Sequence, residues 1–307
     1  MILDILLLIV GFILLVRGAD YFVDGSVTLA HRLRIPTIII GLTIVAMGTS
    51  APEAAISILS TIKNSDSIVI GNIIGSNIAN ILLILGVTLL ISDLSVPKNT
   101  MLYEIPFVGF ITLLLCFIGL HYGVISRLSA IILLGLFVAF LAYLYITSKS
   151  EISSDVGIKE ISKWKIVLYL VGGLTLLILG SNLTVDSAIK LAHSFGVSER
   201  IIGITVVAFG TSVPELVTCI VSAVKKQADI AVGNIIGSNI FNILFVLGIT
   251  GVISPILFKQ EFLFDSVFAM VAIIMLMLFG YKNMKLNRIA GVCLLGTYAI
   301  YLILLFA

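Results

Sequence analysis

The sequence predicts an all-α integral membrane protein of ten transmembrane helices, arranged as two inverted five-helix repeats with helices 2 and 7 broken. Three observations predict it. The 307 residues are 60% hydrophobic and only 11% charged, where soluble domains carry about 25% charged residues. Ten apolar segments approach the length a bilayer requires, about 20 residues each. And one stretch of sequence occurs twice, 162 residues apart.

The segments fall at 2–29, 36–61, 67–91, 103–120, 128–147, 165–191, 200–223, 229–253, 264–281 and 287–306. The only long polar link divides the chain into a first repeat (1–148), a cytoplasmic linker (149–164) and a second repeat (165–307). Each repeat has an odd number of spans, so the second enters the membrane upside down relative to the first, a plan shared by many secondary transporters. With the N-terminus outside, twelve of the eighteen Lys and Arg residues lie on cytoplasmic loops and five on outer loops. The positive-inside rule therefore places both termini outside the cell membrane. The net charge of +2 says nothing about nucleic acid, the basic residues form no run, and no nucleic-acid partner is expected. Cys116, Cys219 and Cys293 lack metal-ligand spacing and read as small packing residues.

The duplication is strongest where the sequence is polar. Gly48-Thr49-Ser50-Ala51-Pro52-Glu53 returns as Gly210-Thr211-Ser212-Val213-Pro214-Glu215. Gly71-Asn72-Ile73-Ile74-Gly75-Ser76-Asn77-Ile78-Ala79-Asn80 returns as Gly233-Asn234-Ile235-Ile236-Gly237-Ser238-Asn239-Ile240-Phe241-Asn242. Residues 41–60 and 203–222 agree at 11 positions, and 71–90 and 233–252 at 14, so both copies are under the same constraint.

Each copy puts a glutamate into a span, which is costly in hydrocarbon and marks a functional site by default. Pro52 and Pro214 remove a backbone donor and clash with a preceding carbonyl, so helices 2 and 7 break just before the glutamates. Broken spans free carbonyl oxygens, near Ala46 in the first copy, which a membrane tolerates only against protein or a wet cavity. Gly71 and Gly75, like Gly233 and Gly237, have the spacing that lets helix backbones approach closely. Ser76 and Asn80, and Ser238 and Asn242, are four apart and share a helix face. The donors are carboxylate, hydroxyl, amide and carbonyl oxygens, a set that suits Na+ or Ca2+.

These paired motifs resemble the two α-repeats of the Ca2+/cation antiporter superfamily, and most closely its prokaryotic Na+/Ca2+ exchanger branch. The resemblance implies a secondary antiporter that exchanges Ca2+ for Na+ by alternating access, with ions held at the midplane between the repeats. It implies Glu53 and Glu215 as central ligands, with Thr49, Ser50, Thr211 and Ser212 beside them. Ala46 and Ala208 would offer backbone carbonyls, Ser76 and Ser238 would coordinate Na+, and Asn80 and Asn242 would complete the centre. No cofactor is implied, only the transported Ca2+ and Na+, and the protein would act as a monomer in the bilayer. Some superfamily members, K+-dependent exchangers among them, carry aspartate at the place of Asn242. Asparagine here leaves two titratable carboxylates and argues against K+ dependence. Coupling to protons, and a cation channel using the same glutamates, are the alternatives. An intramembrane enzyme is not expected, because neither Ser50 nor Ser212 has a histidine at a compatible repeat position.

Outside the motifs, Asp24 and Asp186 are repeat equivalents, as are Asp20 and Asn182, toward the inner ends of spans one and six. Both a structural helix-end role and a part in cation entry fit them. Spans one and six, long and carrying Gly18, Gly25 and Gly180, are nominated from the resemblance as the moving gate.

Overall fold

A computed structural model of the chain describes residues 2–150, 162–195 and 210–306. Eleven helices follow in order. They are α1 (Ile2–Leu33), α2 (Thr37–Thr49), α3 (Ala51–Ile62), α4 (Asp66–Ile91), α5 (Thr100–Tyr122), α6 (Arg127–Ser150), α7 (Lys163–Ser194), α8 (Val213–Val224), α9 (Ala228–Ile253), α10 (Phe262–Gly280) and α11 (Arg288–Phe306). Among the described residues, eight are long and apolar enough to cross a membrane: α1, α4, α5, α6, α7, α9, α10 and α11. The pair α2 and α3 passes the same test as one span bent by 48°. That makes nine rather than the expected ten. The expected seventh span is represented by the short α8, because residues 200–209, with Gly203 and Ala208, lie outside the described residues. Most of the linker lies outside them as well. The chain is an all-helical, multi-pass membrane bundle.

The break in the second span falls at Ser50 (φ −84°, ψ 9°), one residue before α3, with Pro52 in the first turn of the new helix. Ser212 (φ −89°, ψ 6°) and Pro214 repeat that geometry before α8. Proline suits a helix start, where its missing N–H is not needed. Both short helices then end on a left-handed residue, Asn64 (φ 55°) and Lys226 (φ 59°). The following N–H groups close the turn on Ser60 and Ser222 carbonyls at 2.8 Å. The two copies thus agree in backbone as well as in sequence.

α4 and α9 are the most enclosed spans, and they carry π-helical stretches at Ala79–Leu85 and Phe241–Val246. Such stretches concentrate at functional sites. α9 crosses α2 at glycine. A Cβ on Gly233 would lie 2.9 Å from the Gly41 backbone, and one on Gly237 would lie 2.5 Å from the Leu42 carbonyl oxygen and 2.7 Å from the Ala46 Cβ. The small-residue spacing is therefore used for close approach in this copy. The segment that would repeat it against Gly71 and Gly75 lies outside the described residues.

α1 and α7 pack along their length as an antiparallel pair. Gly18 meets Gly173 and Leu177, and Gly180 meets Gly11 and Leu15, again at distances that leave no room for a Cβ. Their other faces expose rows of large apolar residues such as Leu6, Ile9, Ile13, Val167, Leu168 and Val171, as a lipid-facing surface requires. Two strand pairs of two residues each depart from a purely helical expectation. Leu94–Ser95 (β1) pairs antiparallel with Lys285–Leu286 (β4), and Val124–Ile125 (β2) with Ile256–Leu257 (β3).

The α2–α9 crossing gives a direct expectation. Gly237→Ala should destabilise the protein by about 1–3 kcal/mol, since backbone rather than a flexible side chain occupies the space. Gly296→Ala, on the exposed face of α11 with nothing within 4 Å, should be neutral or stabilising by up to about 1 kcal/mol. Thermal melts of the purified protein in detergent separate the two, and equal melting temperatures would remove the close-approach account.

Candidate ion-binding centre

The helix starts of α3 and α8 bring the two glutamates into the protein interior. Glu53 and Glu215 are each 1% exposed. Each accepts a hydrogen bond from the other copy's serine. Ser50 Oγ donates to Glu215 Oε1 at 2.9 Å, and Ser212 Oγ donates to Glu53 Oε1 at 3.3 Å. The second oxygen of each carboxylate, Oε2, is buried without a partner among the described residues. Threonines flank the pair. Thr49 Oγ1 donates to Asn234 Oδ1 at 2.9 Å, whereas Thr211 Oγ1 is buried and unpaired among the described residues.

Asn80 and Asn242 sit at the second position of the two π stretches. Those stretches pack against α8 and α3, the helices of Glu215 and Glu53 respectively. Both amide oxygens are buried and unpaired among the described residues, while both NH2 groups are bonded. Among those residues five buried oxygens of the centre thus lack a partner: two from carboxylates, two from amides and one from a hydroxyl. Buried acceptors without a partner are costly and rare in folded proteins. A cluster of oxygens alone, two of them carboxylate, is chemically complementary to a hard cation.

The remaining expected residues are placed as follows. The Ala46 carbonyl is not free. It accepts the Ser50 N–H at 3.0 Å, with the Thr49 and Ser238 hydroxyls at 3.4 and 3.5 Å. Ser76 is buried on α4, and Ala208, the repeat equivalent of Ala46, lies outside the described residues. Among the described residues no group of three or more His, Cys, Asp or Glu side chains could hold a metal, so a transition-metal centre has no ligand set there.

Sequence reasoning missed the residues that hold these ligands in place. Asn72 Nδ2 donates to the Glu53 carbonyl oxygen at 3.1 Å and to Ser57 Oγ at 2.9 Å. Its equivalent Asn234 donates to Cys219 Sγ at 3.4 Å. Cys219 is therefore a thiol in the place of Ser57, and the repeat alignment alone could have found the pair. Two acids away from the centre were also passed over. Glu104 accepts from Tyr143 Oη at 2.6 Å, and Asp265 from Tyr301 Oη at 2.8 Å.

Thr49→Val should leave Asn234 Oδ1 buried without a donor, at a cost of about 1–3 kcal/mol. Thr211→Val removes a hydroxyl that has no partner and should cost less. Melting temperatures in ion-free detergent solution test the order, and Thr211→Val as the more damaging change would contradict the assigned bonds.

Comparison with known proteins gives this geometry a family. The family model described as sodium/calcium exchanger protein matches residues 3–146 and 165–307. The chain is 35% identical to the inner membrane protein YrbG of Escherichia coli, covering 100% of this chain and 98% of the relative. It is 33% identical to the sodium/calcium exchanger MaX1 of Methanosarcina acetivorans, covering 99% and 98%. A solved structure of the sodium-calcium exchanger NCX_Mj, soaked with zero Na+ and Ca2+, superposes with a TM-score of 0.87 at 32% identity over 99% of both chains. The chain belongs to the sodium/calcium exchanger family and is a membrane transporter rather than an enzyme.

Proposed function

We propose that the protein is a secondary antiporter of the cell membrane that exchanges Ca2+ for Na+ through one shared site. The observation that carries this reading is the crossed pair of buried glutamates, each held by the other copy's serine and each presenting a free oxygen. Glu53, Glu215, Asn80, Asn242, Thr49, Ser50, Thr211, Ser212, Ser76, Ser238 and the Ala208 carbonyl form its ligand set, joined by the Ala46 carbonyl when an ion displaces the long Thr49 and Ser238 hydroxyl contacts from it. Two carboxylates in low dielectric resist ionising together unless a cation compensates. One Ca2+ neutralises both, and so do two Na+. Competition for the same oxygens then makes binding exclusive, and the bare pair crosses the membrane poorly because it must be desolvated. The names of MaX1 and NCX_Mj support Na+ and Ca2+ as the ions.

The architecture we propose is ten spans in two inverted halves, 1–148 and 165–307, joined by a cytoplasmic linker, with both termini outside and the monomer as the working unit. The antiparallel α1–α7 pair supports inversion, since these repeat-equivalent helices run in opposite directions, and the β1–β4 and β2–β3 pairings are the same contact made twice with the copies exchanged.

Radiocalcium flux into proteoliposomes, with Na+, Li+, K+ or a proton gradient opposed in turn, tests the reading. A Na+ gradient should drive accumulation, and Glu53→Gln or Glu215→Gln should abolish it. Normal uptake by either variant refutes the site. Flux without any counter-ion identifies a channel, and flux driven only by protons identifies a proton-coupled exchanger.

One end of the candidate pathway is tied. Lys225, at the end of α8, reaches Asp20 at 2.6 Å and Asp24 at 2.7 Å on α1. Burial there works against the ammonium, but the bonds and charges of the two aspartates outweigh it and hold its pKa above the ordinary value. From Glu215 to this tether, α8 turns Thr218, Cys219 and Ser222 inward, and the Thr218 and Ser222 hydroxyls have no partner among the described residues. The equivalent Lys63 and Asp186 make no ion pair among the described residues. We read the tether as closing the cytoplasmic end of a polar lane. A part-exposed pair is worth about 0.2–1 kcal/mol, or about a 1.4- to fivefold change in a population or rate. Lys225→Gln should change the maximal exchange rate by about that factor and leave the apparent KM for Ca2+ within about twofold. A shift in KM alone would assign Lys225 to ion binding instead.

A further inference from the structure

Four asparagines cross the centre in a closed set of hydrogen bonds. Asn80 Nδ2 donates to Asn239 Oδ1 at 2.9 Å, and Asn242 Nδ2 donates to Asn77 Oδ1 at 3.1 Å. Asn77 Nδ2 in turn donates to the Asn239 backbone carbonyl at 3.2 Å, and Asn239 Nδ2 to the Asn77 backbone carbonyl at 3.3 Å. All four side chains are buried.

A primary amide has an acceptor end and a donor end of nearly the same shape, so only its bonds decide which end faces a ligand. At Asn77 and Asn239 both ends are committed. Their NH2 groups are fixed on the opposite helix backbone, so their oxygens must point at the NH2 groups of Asn242 and Asn80. That in turn leaves Oδ1 of Asn80 and of Asn242 as the free, buried end. A reversed amide would point N–H groups at a cation and repel it.

We infer that Asn77 and Asn239 are positioning residues that set the polarity of the opposite half's ligand amide, Asn77 for Asn242 and Asn239 for Asn80. The inference rests on the reading of Asn80 and Asn242 as cation ligands beside Glu53 and Glu215. It also explains why asparagine is built into position 242. Aspartate there has no proton to give Asn77 Oδ1, and Asn77 cannot turn its amide without losing the Asn239 carbonyl.

The crossed pairing supplies a test that a merely structural role cannot imitate. Apparent Ca2+ dissociation constants are read from Ca2+-dependent thermal shifts of the purified full chain in choline buffer, so variants that no longer transport still report. Asn77→Ala should weaken Ca2+ binding about tenfold in the wild type and in an Asn80→Ala background, but less than about twofold in an Asn242→Ala background. Asn239→Ala should show the mirror pattern, coupling to Asn80 and not to Asn242, and serves as the independent variant if Asn77→Ala does not fold. Equal penalties in both backgrounds overturn the inference, because loosening the α4–α9 crossing would act on both ligands alike. If Asn80→Ala and Asn242→Ala both leave Ca2+ binding unchanged, the cation-site reading fails first and the positioning role with it. If they weaken binding but every cycle is additive, only the positioning role fails.

Discussion

Two carboxylates inside a lipid-spanning bundle set the terms for the rest of the molecule. Among the described residues neither Glu53 nor Glu215 has a basic residue against it, and the side-chain hydrogen bonds each receives come from hydroxyls. Hydroxyl donors stabilise a carboxylate without cancelling its charge. The compensation must then come from something that can leave, which is what a carrier needs and what a fixed lysine or arginine would prevent. The surrounding structure serves this end. Proline and serine break the second span so that a helix start lies beside each acid, and glycine brings α9 onto α2 closely enough for Thr49 to reach Asn234.

Cross-bonding between the copies is the second organising fact. Ser50 serves Glu215, Ser212 serves Glu53, and Asn77, Asn80, Asn239 and Asn242 bond from one copy to the other. Neither half contains a complete set of satisfied groups. A cation at the proposed centre would therefore be held by both halves at once, and the affinity for it would depend on how they sit relative to one another. Any motion that separates α3 from α8 would open both serine–glutamate bonds together. The site is coupled to conformation by construction.

Much of this was legible in the sequence. The duplicated Gly-Thr-Ser-x-Pro-Glu hexapeptides located the acids, the helix breaks and the flanking hydroxyls, because charge in hydrocarbon and proline in a helix have few physical explanations. The span boundaries that fall among the described residues were legible to within a few residues, since bilayer thickness limits them, while the start of the seventh span lies outside those residues. The partners of Asn77 and Asn239 were not legible. Hydrogen bonds between helices 162 residues apart depend on the register of two spans across an axis, and no local pattern encodes that. The Ala46 carbonyl was expected to be free, because proline's missing N–H is easy to read. That Ser50 N–H and two hydroxyls reach the same oxygen depends on packing. The buried Glu104 and half-buried Asp265 show the opposite failure. Each is an acid in an apolar stretch, yet each accepts a hydrogen bond from a tyrosine hydroxyl away from the centre.

The tether at Lys225 shows what symmetry in a sequence does and does not determine. Lys63 and Lys225 are equivalent, and so are Asp186 and Asp24, so both ends of the molecule carry the parts of the same ion pair. Only one end has assembled it. Asp20, the additional carboxylate, faces Asn182 in the other copy, which weakens that end without abolishing it. A chain whose halves were identical in sequence and in conformation would have its two ends open or closed together, and ions would leak. Exchange across a single site needs two conformations, each breaking the symmetry in the opposite sense and separated by a small free energy. A part-exposed pair worth about 1 kcal/mol or less is of the right size for that purpose. It biases which end is closed without trapping it, whereas a fully buried ion pair would cost several kcal/mol to break and would hold the carrier in one state.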